Sequence, residues 1–120
     1  ALVIDDDIYN VYAMTGALEQ QGMTVVLAED GRAGLAALRE HPDVAVVLID
    51  VTMPGMDAEG IVHALRATHE APLPVVAVTA RAMPGDRAKC LSAGASDYLA
   101  KPVNVAHMVA LLKTWLGRTP

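Results

Sequence analysis

At 120 residues the chain has the length of one domain with a single core, and its net charge of −5, from 9 Lys and Arg against 14 Asp and Glu, argues against nucleic acid as a partner. Hydrophobic residues make up 53 % of it, yet no apolar run nears the roughly 18 residues that a membrane span needs, and no charged leader precedes an apolar stretch. One cysteine, Cys90, has no internal disulfide partner and fits a reducing, cytoplasmic setting as a small helix hydrophobe.

Five short apolar runs alternate with longer helical patterns, which predicts an α/β fold with a parallel sheet. The first run, 2–4, ends at Asp5-Asp6-Asp7. Val11, Met14 and Leu18 then share one face of a helix over about 8–21, with Asp7 before it as a solvated loop acid or N-cap rather than a ligand, and Gly22 as its stop. A second strand over 24–28 leads to a helix marked by Leu35 and Leu38, which ends before Pro42. The third strand, 44–49, runs into Asp50. Ala58, Ile61, Val62 and Leu65 mark the third helix, with Asp57 as its cap. The fourth strand, 74–78, is followed by Thr79 and then by a helix from about Pro84 to Gly94. The fifth, 97–100, is followed by Lys101, and Met108, Leu111, Leu112 and Trp115 stripe the last helix. The strands are unbroken rather than alternating, as strands covered on both faces are. His41, His63, His69 and His107 lack metal-ligand spacing and read as surface residues.

Five parallel strands with helices on both faces commonly adopt the order 2-1-3-4-5, the flavodoxin-like doubly wound arrangement. In that order strands 1 and 3 are neighbours at the switch point, where ligands bind outside the carboxyl ends. Asp5, Asp6 and Asp50 then share a pocket, where crowded carboxylates repel each other and call for a cation. Oxygen ligands alone suit Mg²⁺. Thr79 and Lys101 reach the same edge. A hydroxyl, an ammonium and Mg²⁺ together can hold the three oxygens of a phosphoryl group.

These residues resemble those of the receiver domain of two-component response regulators, over essentially the whole chain. The resemblance rests on Asp5-Asp6, on Asp50-Val51-Thr52-Met53-Pro54-Gly55-Met56-Asp57, on Thr79-Ala80 and on Lys101-Pro102, in that order and at strand ends. It implies a phosphoacceptor in a His-Asp phosphorelay. Asp50 would be the nucleophile, Asp6 a direct Mg²⁺ ligand and Asp5 the holder of a metal-bound water, with the Thr52 backbone carbonyl a further ligand. Lys101, expected before a cis Pro102, would pair with the phosphoryl oxygens. Thr79 and Tyr98 would switch together on phosphorylation and change the surface of the 84–94 helix, the fifth strand and the last helix. Thr52 and Arg81, two residues beyond Asp50 and Thr79, depart from the family's common residues and border the phosphoryl group; Ala58 stands where Gly is frequent.

The resemblance also implies partners: a histidine kinase or histidine phosphotransfer domain, and a second copy through the last two helices. It implies no nucleic-acid or membrane contact by this domain. Such a domain is no enzyme towards a separate product, only a catalyst of its own phosphorylation and slow dephosphorylation. The chain opens at Ala1 without Met, so 1–120 is expected to be a single domain cut from a longer protein. The stretch Ala80–Leu91, with Ala93–Tyr98 and with Asn10 after the acidic triplet, looks most like receivers fused to hybrid sensor histidine kinases. A stand-alone regulator comes second and a DNA-binding regulator third. Three rival functions are weaker. An aspartate-nucleophile phosphatase of the haloacid dehalogenase type would need a Thr that Asp5-Asp6-Asp7-Ile8-Tyr9 lacks. A nucleotide- or flavin-binding module would want a Gly-rich or hydroxyl-rich first turn. A pseudo-receiver would not need the intact Asp, Thr and Lys set.

Overall fold

The computed structural model describes residues 1–51, 58–68, 73–79, 88, 91–92, 94–101 and 103–116. Thr52, Asp57, His69, Arg81, Pro84, Cys90 and the Lys101-Pro102 bond lie outside the described residues. The strands are β1 (Leu2–Ile4), β2 (Val26–Ala28), β3 (Val47–Asp50), β4 (Val75–Thr79) and β5 (Asp97–Ala100). They pair in parallel in the order β2-β1-β3-β4-β5, the doubly wound order expected. The helices are α1 (Ile8–Gln20), α2 (Gly31–Glu40), α3 (Ala58–Thr68) and a last helix, Val105–Leu116. Of the helix expected over 84–94, the described residues Ala88, Leu91 and Ser92 are helical. No helix among the described residues is long and apolar enough to cross a membrane.

Because successive strand residues point to opposite faces, the central strands β1, β3 and β4 each feed two cores. Val3, Leu48, Val76, Val78 and Leu99 meet Met14 and Leu18 of α1 and Met108 and Leu112 of the last helix. Leu2, Ile4, Val47, Ile49 and Val75 meet Leu38 of α2 and Val62 and Leu65 of α3. This two-sided burial is why the strands read as unbroken apolar runs. The expected starts of β2 and β3 came too early. Val44 and Val46 are buried, but ladder pairing of β3 begins at Val47, opposite Leu2 and Val75.

Local chemistry sets the helix ends. Asp7 caps α1 as expected, its Oδ1 accepting from the N–H groups of Tyr9 and Asn10 at 3.2 and 3.4 Å. Gly22, at φ +81°, closes α1, and Met23 N–H donates back to the Leu18 carbonyl at 3.1 Å. Asp30 caps α2 by accepting from Ala33 N–H at 2.7 Å. Arg66 of α3 donates to the Leu73 carbonyl at 3.0 Å, to the Gly94 carbonyl and to Ser96 Oγ at 3.1 Å. That side chain ties α3 to the chain just before β4 and just before β5.

Two helical glycines should respond oppositely to Ala. A Cβ at Gly16 meets nothing within 4 Å, so Gly16→Ala should raise stability by about 0.5–1 kcal/mol through helix propensity. A Cβ at Gly34 would collide with Ile4 Cδ1, and Ile4 is fully buried with nowhere to move. Overpacking of about 1–3 kcal/mol should outweigh the same propensity gain. Urea melts of both variants check this; a Gly34→Ala protein as stable as Gly16→Ala would contradict the packing.

Candidate functional site

The carboxyl edge of the sheet gathers the residues that carry chemistry. Asp5 directly follows β1, Asp50 ends β3, Thr79 ends β4 and Lys101 directly follows β5. Ladder bonds continue past the strand ends and hold these positions rigidly. Asp5 N–H donates to the Ala28 carbonyl at 3.0 Å, Val51 N–H to Val78 at 2.9 Å, and Lys101 N–H to Thr79 at 2.7 Å. Asp5, Asp50 and Thr79 are buried, while Asp6 is exposed at the mouth.

Carboxylate oxygens of Asp5, Asp6 and Asp50 lie within 4.8 Å of one another. The Lys101 ammonium pairs with two of them, 2.8 Å from Asp50 Oδ2 and 3.2 Å from Asp5 Oδ2, and lies 3.6 Å from Asp7 Oδ2. Asp7 is therefore both the helix cap and a neighbour of the pocket, the second of which the sequence reading did not anticipate. Burial pushes the Asp5 carboxyl above its ordinary pKa, and the Asp50 charge adds to this. Hydrogen bonds from Asp7, Asn10 and Lys101 oppose it. For Lys101, burial pulls the ammonium down, but bonds to Asp50 and Asp5 outweigh it and its pKa is raised. One ammonium against the carboxylates of Asp5, Asp6, Asp7 and Asp50 leaves an excess of negative charge, which a divalent cation would reduce. The donors are all oxygen, so the set fits a hard cation such as Mg²⁺.

The bond from Asn10 Nδ2 to Asp5 Oδ2, at 2.8 Å, was also not anticipated. A signal for it existed. Asn10 is the third residue of α1 after its cap, the position from which side chains fold back over a helix start. Tyr98, the expected switch aromatic, is half-buried in β5 opposite Ala77. Described His41, His63 and His107 are exposed and outside the site. Ile8, Tyr9 and Tyr12 of α1, beside the acidic mouth, are 74 %, 86 % and 83 % exposed.

Comparison with known proteins agrees with this geometry. The sequence pattern of the family described as "Response regulator receiver domain" matches residues 1–113. The sensor histidine kinase GacS of Pseudomonas protegens is 35 % identical over 120 residues, covering 97 % of this chain and 13 % of GacS. The transcriptional regulatory protein PrrA of Mycobacterium tuberculosis is 39 % identical over 117 residues, covering 98 % of this chain and 49 % of PrrA. The chain thus spans at most about half of these relatives. Among solved structures, the receiver domain of the sensor histidine kinase PA1611 from Pseudomonas aeruginosa superposes with a TM-score of 0.83 at 32 % identity, covering 97 % of this chain and 95 % of that one. Its active-site cleft is described as coordinating a magnesium ion.

Proposed function

Since the chain belongs to the response regulator receiver domain family, we propose that it accepts a phosphoryl group on Asp50 from a phosphohistidine, as one step of a His-Asp phosphorelay. The observation that carries this reading is the clustering of the Asp5, Asp6 and Asp50 carboxylates, with the Lys101 ammonium paired to Asp5 and Asp50. Four ionisable groups gathered at a sheet edge have no cheap structural purpose.

An oxygen of Asp50 attacks phosphorus, and the bond from phosphorus to the donor's imidazole nitrogen breaks, with its electron pair leaving on that nitrogen. Asp6, Asp50 and the Thr52 carbonyl, with Asp5 through a water, would hold Mg²⁺, which would supply neutralisation of charge on the phosphoryl oxygens. Lys101 keeps contact with Asp50 and takes up one phosphoryl oxygen. The Thr79 hydroxyl, at the end of the adjacent strand, donates to another, and Tyr98 follows it inward. The added charge of roughly −1.5 to −2 biases the surface formed by 84–94, β5 and the last helix. That surface is the one offered to a second copy. The donor is a histidine kinase or histidine phosphotransfer domain. The chain is one domain of a longer, cytoplasmic or membrane-anchored protein, and the similarity to GacS supports a hybrid histidine kinase as that parent.

Intact-mass spectrometry after incubation with acetyl phosphate tests the reading. One added phosphoryl group is expected with Mg²⁺ and none with chelator. Steady release of phosphate without an adduct would favour a phosphatase instead, and an adduct that ignores the chelator would remove the metal from the reaction.

A further inference from the structure

Asn10 has no part in the phosphoryl transfer described above, yet its side chain points into that site. The Asp5 carboxylate is almost wholly buried and both its oxygens are engaged. Oδ1 accepts from Asp7 N–H at 2.9 Å and from Lys101 Nζ at 3.3 Å. Oδ2 accepts from Asn10 Nδ2 at 2.8 Å and lies 3.2 Å from Lys101 Nζ. These donors differ in kind. The ammonium is a point charge on a flexible stem, shared with Asp50 and Asp7. The other two are directional and anchored in the first turn of α1, where the Asn10 amide also reaches Met14 Sδ at 3.7 Å. An ammonium recruited by a phosphoryl group can leave Asp5; the backbone amide and Asn10 stay.

We propose that Asn10 is a positioning residue for the cation site: it fixes Oδ2 of Asp5, so the carboxylate keeps its orientation towards Asp6 and Asp50 whatever Lys101 does. The inference rests on the receiver reading and deepens it. Partners that orient a metal-binding group typically change metal affinity by about 10–100-fold when removed.

Three proteins test this: wild type, Asn10→Leu, which keeps the bulk against Met14 and loses the donor, and Asn10→Gln, which keeps the amide. Mg²⁺ affinity is measured by calorimetry, beside the metal-free thermal melt and the labelling rate with acetyl phosphate at saturating Mg²⁺. Asn10→Leu should bind Mg²⁺ about tenfold more weakly, with a melt lowered only by the loss of one hydrogen bond to Asp5 and a labelling rate that recovers at high Mg²⁺. Asn10→Gln should retain part of the affinity. Affinity of Asn10→Leu within about twofold of wild type would overturn the proposal, because orienting partners act more strongly than that. If Asn10→Leu is unfolded, the wild-type Asn10 side-chain amide resonance decides. It should move on Mg²⁺ addition, and an unmoved resonance overturns the proposal. Wild type that takes up neither Mg²⁺ nor phosphoryl would instead refute the receiver reading itself.

Discussion

Asp50→Asn should take up no phosphoryl group from acetyl phosphate, a loss of the order of 10³-fold or more, as removal of a covalent nucleophile gives. The amide has nearly the shape of the carboxylate but no nucleophilic oxygen at neutral pH. The position is 4 % exposed, at the end of a ladder-bonded strand, so no other side chain can easily take its place. Removing this charge also lessens the repulsion that raises the Asp5 pKa, so the fold should survive. Intact mass reads the labelling, and a denaturant melt reads the fold. An adduct that persists, mapped by peptide mass to Asp5 or Asp6, would move the acceptor.

The second large effect is on stability. Lys101→Met keeps the length of the stem and deletes the charge. The Lys101 side chain is 11 % exposed, and its partners Asp5 and Asp50 are 1 % and 4 % exposed, so solvent screens the group little. Stranding buried carboxylates without their cation should cost about 3–5 kcal/mol near neutral pH. The sign of the pH dependence follows from the shifts. The folded-state pKa of Asp5 is raised, so its ionisation opposes folding, and that penalty is relieved as pH falls through its folded value. The folded-state pKa of Lys101 is also raised, so its contribution is complete below the ordinary value of 10.5 and lost as pH rises through the folded one. The variant should therefore lack that alkaline loss and regain stability on acidification more steeply than wild type. Mg²⁺ should restore part of the deficit by mass action, about 2.7 kcal/mol at one hundred times its dissociation constant. Urea unfolding at several pH values, with and without Mg²⁺, checks each of these. A deficit that neither acid nor Mg²⁺ reduces would mean that Lys101 acts by packing alone.

Much of the site was legible because its chemistry is punctuated by strand ends. Asp5, Asp50, Thr79 and Lys101 each end or directly follow an apolar run, and a parallel sheet brings such ends to one edge. β1 and β5 were legible in full, since a charged residue, Asp5 or Lys101, closes each. β2 and β3 were overextended at their starts, because apolar character reports burial and not pairing; Val44 is buried without a place in the ladder. Contacts across long stretches of chain leave no periodic trace. Arg66 reaches the Gly94 carbonyl over 28 residues, and Trp115 Nε1 reaches Asp97 Oδ2 at 3.1 Å. Neither bond could be read from spacing.

That reach of Arg66 bears on how the domain tolerates insertions and deletions. β5 is four residues long, and Lys101 faces Asp50 only because Thr79 stands opposite Ala100. Sliding β5 by one residue would turn Lys101 away from the acids and Leu99 out of its core, since side chains alternate between faces. Arg66 grips Gly94 and Ser96, immediately upstream of β5, and Ser96 N–H is pinned to the Val75 carbonyl at 2.7 Å. A length change between β4 and Gly94 is therefore absorbed before it reaches the strand. The same change between Ser96 and Lys101 would shift the ammonium out of register and take Leu99 from its core, so site and packing would be lost together.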